Sequence, residues 1–213
     1  MTEGKLPPAR EFVNALETHA PTFGVSLSED ATARLVRYFE LVGLWNPRLH
    51  LVAPCTPQEF AVRHVLESLL AARYLREGVR VCDVGSGAGL PVIPCLVLRP
   101  DVTATLVEAA TKKAVFLREA LRAVGRQDAA EVVNERFERL APPDDTVAAV
   151  TCRALDRFTE LFPRLVEWTM DVKLLLLFGG ESLRAEIERA RMAYSSLLVP
   201  SSERRFLFVV ERQ

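Results

Sequence analysis

One short run constrains the fold of this chain more than any other. An apolar segment near 79–84 runs straight into Gly85-Ser86-Gly87-Ala88-Gly89. A chain that leaves a strand through alternating glycines turns tightly and lets its backbone approach a ligand with no side chain between. Such a loop belongs at the carboxyl edge of an open, mostly parallel sheet. The sequence beyond it agrees, because short apolar runs alternate with helical patterns. Strands are expected near 79–84, 103–108, 130–134, 147–152, 172–178, 195–199 and 205–211, with helices near 90–98, 112–124, 156–168 and 182–192. Right-handed crossovers would put helices on both faces and the carboxyl ends of the strands along one rim.

The first third is helical in pattern. Ser28-Glu29-Asp30 supplies a cap and an acidic first turn, after which Leu35, Phe39, Val42 and Trp45 recur near helical spacing. Thr56-Pro57-Gln58-Glu59 is a sharper start, with a capping hydroxyl, proline at the first helical position and glutamate three residues after the cap. That helix is expected to run to about Leu75. With 213 residues, 49% of them hydrophobic, the chain suits one full-sized α/β domain with an attached segment. The expected division is a helical segment, 1–77, packed on a core, 78–213.

A net charge of −1 gives no global attraction to nucleic acid, so a polyanion would have to be held by a local basic patch. Cys55, Cys82, Cys95 and Cys152 lack the close pairing of a zinc site and read as core thiols, and no metal is expected. Met1 to Arg10 has no apolar stretch, and no window reaches the ~18 apolar residues of a membrane span, so a cytoplasmic location is expected. No coiled-coil pattern is visible, and a monomer is the expectation.

The glycine spacing separates two cofactor classes. A dinucleotide loop needs G-x-G-x-x-G, and Leu90 stands where its last glycine belongs. G-x-G-x-G suits the S-adenosylmethionine loop of methyltransferases. Asp83 precedes the first glycine, where a carboxylate can meet the ammonium of a methionine moiety or order the loop. Glu108 ends the next strand, where a carboxylate can accept both ribose hydroxyls of an adenosine. An ordinary turn is the plain alternative for the glycines alone. With Asp83 and Glu108 beside them, the expected fold is a seven-stranded, mostly parallel, Rossmann-like class I methyltransferase sheet with an N-terminal helical extension.

From Trp45 to Gly180 the chain resembles the bacterial small-subunit ribosomal RNA guanine-N7 methyltransferases, also called glucose-inhibited division protein B. The resemblance rests on Trp45-Asn46, Arg63-His64-Val65-Leu66-Glu67-Ser68, Asp83 through Pro91 with Ile93-Pro94, Lys112-Lys113 with Phe116-Leu117-Arg118, Arg136 with Glu138, and Arg153-Ala154. The second and last of these are the specific part. The resemblance implies methyl transfer from S-adenosylmethionine to N7 of a guanine in small-subunit ribosomal RNA, leaving S-adenosylhomocysteine. It implies a cofactor surrounded by Gly85, Gly87, Gly89, Leu90, Phe137, Glu138 and Arg153. Three positions depart from the family pattern: His50-Leu51-Val52 replaces Asn-Leu-Thr, Glu67 replaces aspartate, and Phe178-Gly179 replaces Lys-Gly.

N7 of guanine carries a lone pair and no proton to lose, so its methylation needs alignment and desolvation rather than a general base. Arg153 is a candidate for orienting the purine edge, against the plainer role of an ion pair with Glu138 or Glu108. His64 is the second polar candidate, against a role in a core or cap. Lys112, Lys113, Arg118, Arg122 and Arg126 recur at spacings that suggest one basic, RNA-binding helix face, or simply a solvated one.

Other readings stay open. The Asn/Asp-Pro-Pro-aromatic turn of exocyclic-amine methylation is replaced by Thr151-Cys152-Arg153-Ala154. Cys152 keeps cytosine-C5 chemistry in view. A nicotinamide oxidoreductase is disfavoured by Leu90 and Asp83. A cofactor-binding, ribosome-associated protein without turnover is allowed by the changes at His50, Glu67 and Phe178.

Overall fold

The computed structural model describes residues 7–153 and 158–212. Its centre is one seven-stranded sheet in the order β3-β2-β1-β4-β5-β7-β6. Strands β1 (Arg80–Val84), β2 (Thr103–Val107), β3 (Ala130–Val133), β4 (Val147–Arg153) and β5 (Leu174–Gly179) are parallel. Strand β7 (Phe206–Glu211) runs antiparallel between β5 and β6 (Ser195–Leu198). The central strands read as continuous apolar runs because both of their faces are covered. The strand order reverses between β1 and β4, and the loops leaving these two strands diverge to opposite sides, opening a crevice at the carboxyl edge.

One face is covered by α1 (Pro8–His19), α2 (Glu29–Leu49), α5 (Val92–Leu98) and α6 (Thr111–Ala123), whose apolar residues share one core with Val81, Leu106 and Leu176. The N-terminal helices thus lie directly against the sheet and its first crossover helices. On the other face, α7 (Phe158–Trp168) and α8 (Glu181–Arg189) cover Cys82, Val84, Val107, Val150 and Cys152. Helix α7 was expected from 156, and its first two positions on that reading fall outside the described residues.

Ser28 caps α2, its Oγ accepting from the Ala31 amide at 3.2 Å. The Thr56–Glu59 capping box forms with both of its bonds. Beyond it the single expected helix is replaced by four short pieces. After α3 (Pro57–Glu59) the turns widen to a π-helix over Phe60–Leu66, tighten at α4 (Glu67–Leu69) and end as a 3-10 turn, Ala71–Tyr74. The wide turn moves the backbone bonds by one residue, so the Glu67 amide reaches back to the Val62 carbonyl.

Among the described residues no helix is long and apolar enough to cross a membrane, and no group of three or more His, Cys, Asp or Glu is placed to hold a metal ion.

Candidate active site

A cavity of about 610 Å³ opens above the carboxyl ends of β1, β2 and β4. Its floor is the glycine loop. Gly85 (φ 70°), Gly87 (φ 52°) and Gly89 (φ 86°) all lie in the left-handed region, where a side chain is strained. Gly89 does not line the cavity. It sits where a Cβ would run into Ile93 and Leu117, so it serves the packing of α5 and α6 beneath the loop. The Gly85 and Ser86 amides both donate to the Val107 carbonyl, at 2.9 and 3.1 Å.

Glu108, the residue after β2, is 8% exposed and lines the cavity. Its Oε2 accepts from the Gly87 amide and its Oε1 from the Ala110 amide, both at 2.8 Å. The carboxylate is thereby fixed against the loop, while each oxygen keeps a further lone pair. Leu90, Val107 and Phe137 give the same wall an apolar surface, with Glu138 beside them. Trp168 holds Phe137 edge-on, with ring centroids 5.6 Å apart.

Asp83 lies elsewhere. Side chains alternate along β1, and Asp83 shares the face of Val81 under the N-terminal helices, fully buried and outside the cavity lining. Its Oδ1 accepts from the Thr151 hydroxyl at 2.5 Å, while Oδ2 is buried with no hydrogen-bond partner. Burial pushes its pKa up to about 7, against the lowering effect of the Thr151 hydroxyl and the nearby Ser86 hydroxyl, which donates to the Asp83 backbone carbonyl, and nearby Glu108 adds to the rise. The Thr151–Asp83 hydrogen bond ties β1 to β4 beneath the loop.

The opposite wall carries Arg153 and His64. Arg153 does pair with a carboxylate, but with Glu67 (3.4 Å) rather than with Glu138 or Glu108. It also donates to the Arg63 carbonyl at 2.8 Å and to Ser68 Oγ at 3.3 Å. The Phe178 ring centroid lies 5.7 Å from its guanidinium carbon. Glu67 in turn accepts from Arg205 Nε at 3.0 Å, so one buried carboxylate holds two guanidiniums. Arg153 is therefore a fixed part of the wall. His64 rides on the π-helical turn, its ring 5.2 Å from Phe60. Burial first, then the charges of Arg153, Arg63 and Arg205, push its pKa down to about 4, so the imidazole is neutral at neutral pH.

A further part of the lining is His50-Leu51-Val52-Ala53. Asn46 folds it inward: its side-chain amide donates to the Val52 carbonyl at 3.0 Å and accepts from the Val52 amide at 2.9 Å. His50 turns the chain there, with φ 49°. Buried Tyr38 braces the loop from below, donating to the Ala88 carbonyl at 2.7 Å. Tyr38 looks like any core aromatic in sequence, and Arg205 lies in a turn with no motif. Neither gave a signal.

Lys113 stands apart from the other basic residues of α6. At about 100° per residue, Arg118 is turned about 140° from Lys113, and Arg122 about 180°. Lys113 lines the cavity. Arg118 donates to the Val132 carbonyl, Arg122 pairs with Glu119, and Arg126 lies beyond α6, bonded to the Pro100 and Val102 carbonyls. Of Lys112, Lys113, Arg118, Arg122 and Arg126, Lys113 alone lines the cavity. Cys152 packs with Val84, Val107 and Phe162 on the far face of the sheet and does not line the cavity, which removes the geometry a cytosine-C5 nucleophile needs.

Known proteins resemble this chain in sequence and in fold. A protein of Sorangium cellulosum (strain So ce56) named ribosomal RNA small subunit methyltransferase G is 37% identical over 190 residues, covering 87% of this chain and 77% of its own. One of the same name from Xanthomonas campestris pv. campestris (strain B100) is 39% identical over 160 residues, covering 73% of this chain and 70% of its own. The solved structure of a predicted O-methyltransferase, Atu636, from Agrobacterium tumefaciens superimposes with a TM-score of 0.57 at 20% identity, over 69% of this chain and 81% of that one; it supports the Rossmann-like methyltransferase fold. Residues 31–209 match the family described as GidB, rRNA small subunit methyltransferase G, and with the relatives at this level of identity the chain belongs to that family.

Proposed function

We propose that this protein is a cytoplasmic enzyme that transfers a methyl group from S-adenosylmethionine to N7 of a guanine in small-subunit ribosomal RNA. The observation that carries the reading is the pairing, across one cavity, of a loop-bound Glu108 with a wall formed by Arg153 and neutral His64. The residues fit the cofactor. The loop backbone at Gly85 and Gly87 offers a surface without side chains, Glu108 has lone pairs left for ribose hydroxyls, and Leu90, Val107 and Phe137 offer apolar contact to an adenine. When bound, that group supplies a methyl on a positively charged sulfur.

The remaining work falls to the chain itself. Arg153, locked by Glu67, Ser68 and the Arg63 carbonyl, keeps the substrate wall in one position before RNA arrives. His64 adds a polar edge without adding charge. Because N7 has no proton to lose, nothing in the cavity has to serve as a base. Lys113 and Arg136 bring positive charge to the cavity lining, where phosphates would pass, and Lys112 lies next to Lys113 in the chain.

The test is to incubate the protein with labelled S-adenosylmethionine and small ribosomal subunits from a strain lacking this gene, then map the label. Label at a guanine, with chain cleavage after borohydride and aniline, is expected. Label on another base would move the target. Cofactor binding by calorimetry without label would favour the reading without turnover, and binding of a nicotinamide cofactor instead would end the methyltransferase reading.

A further inference from the structure

Beside the cavity mouth, α2 and α6 leave between them a second hollow of about 490 Å³, lined by Leu44, Trp45, Arg48, Leu49, Lys112 and Val115. It is apolar and open to solvent. Leu44 is 73% exposed and Val115 42%, two of the four most exposed large apolar side chains among the described residues. Two such side chains facing one hollow suggest a surface that meets something. Trp45 is partly buried, standing edge-on to Phe116 with ring centroids 5.9 Å apart, so it is fixed at one side and open at the other.

The charges around the hollow have one sign. Arg48 and Lys112 line it, and no acidic residue does. The hollow and the cavity are also built from the same two chain segments. Arg48 and Leu49 line the hollow while His50 and Leu51 line the cavity; Lys112 lines the hollow while Lys113 lines the cavity. The hollow therefore adjoins the cavity through neighbouring residues of both segments. Apolar surface for a base face, flanked by cations for phosphates, is the chemistry of a single-stranded nucleic-acid track.

We propose that the α2–α6 hollow binds a nucleotide of the single-stranded RNA flanking the target, its base against Leu44, Trp45 and Val115 and its phosphates beside Arg48 and Lys112. The proposal rests on the ribosomal RNA reading above and deepens it.

The experiment measures binding of an unmodified small-subunit rRNA transcript by fluorescence anisotropy over a range of salt, with S-adenosylmethionine affinity and methylation in parallel. Leu44→Glu, on an exposed position, is expected to weaken RNA binding by about 10-fold or more with the salt slope kept. The Arg48→Gln/Lys112→Gln pair is expected to weaken binding and reduce the slope by about 1.4, at about 0.7 per lost phosphate contact. Cofactor affinity stays unchanged in both, which also reports that they fold. Arg191→Gln, exposed after α8 on the other face of the sheet, leaves all readings as in the parent.

If the parent methylates the transcript and these variants bind it with the parent's affinity and slope, the proposal is overturned while the ribosomal reading stands. If the parent neither binds nor methylates small-subunit RNA, free or assembled, the underlying reading has failed first. Methylation of assembled subunits lost while transcript binding is intact would mean that a protein docks in the hollow. A parent dimer dissociated by Leu44→Glu with RNA binding intact would mean that a second copy does. Either result overturns the proposal.

Discussion

Asp83→Asn is expected to change how stability depends on pH, and the size of the effect follows from where the carboxyl sits. Asp83 is fully buried, with one oxygen bonded to Thr151 and the other without a hydrogen-bond partner. Its pKa rises from 3.8 to about 7. Between these values the unfolded chain releases the proton and the native protein keeps it, so native stability falls as pH rises and levels off above about 7. At 1.36 kcal/mol per unit the shift amounts to about 4 kcal/mol, present below the unfolded pKa and gone by about pH 8. Asparagine keeps the shape and cannot ionise. The stability of Asp83→Asn relative to the parent, from urea melts, should therefore rise by about 4 kcal/mol between about pH 4 and about pH 8. Taking the difference cancels the other titrating groups except those close to Asp83, chiefly Glu108, Cys82, Cys95 and Tyr38. A difference that stays flat across this range would refute the buried-acid argument. Because Asp83 does not line the cavity, the variant should lose less than about tenfold in cofactor affinity; a loss of about a hundredfold would mean that the carboxylate meets the ligand after all.

Gly89→Ala combines φ 86° with a Cβ driven into Ile93 and Leu117, and should cost about 2–4 kcal/mol in thermal or urea unfolding; a neutral variant would mean that α5 moves freely away from the loop. Glu108→Gln leaves one oxygen for two backbone amides and sets an NH2 against an N–H, so calorimetry should show cofactor affinity reduced by about 10- to 100-fold, and an unchanged affinity would remove Glu108 from the site. Glu67→Gln leaves Arg153 and Arg205 without their carboxylate and should destabilise the protein by about 3 kcal/mol, with methylation lost more steeply than cofactor binding; equal losses of both would make Glu67 a purely structural residue.

The cofactor half of the site was legible in the sequence because its parts are local. A strand, a glycine loop and an acid at the end of the next strand are separated by fixed short intervals, and each residue type is demanded by backbone geometry or by a carboxylate's lone pairs. The substrate half was legible only in part. Arg153 and His64 could be named, but their partners come from remote segments: Glu67 from the helical segment before β1, Arg205 from the turn between β6 and β7. No spacing rule connects such positions. The π-helical turn was invisible for a different reason, since its residues suit an α-helix equally well and only the bond register differs. On α6, the spacing of basic residues was read as a face when the helix angle sets Lys113 apart from Arg118 and Arg122.

The departures from the family pattern become more informative once they are placed. Glu67 and Phe178 lie far apart in sequence, yet both touch Arg153, one as its carboxylate and the other as the ring near its guanidinium. A glutamate reaches one methylene further than an aspartate, and here it spans Arg153 and Arg205 together. Two guanidiniums on one buried carboxylate already leave an excess positive charge. A lysine at position 178 would add a third cation beside the same acid, whereas phenylalanine adds apolar cover and an aromatic face for the guanidinium. The two changes therefore fit each other and keep Arg153 fixed at the cavity wall. Decay of an unused site would leave buried charges without partners, at a cost of about 3–5 kcal/mol for a broken pair. Two of the three departures, Glu67 and Phe178, thus meet at the fixed arginine of the cavity wall, an arrangement that favours turnover over binding alone.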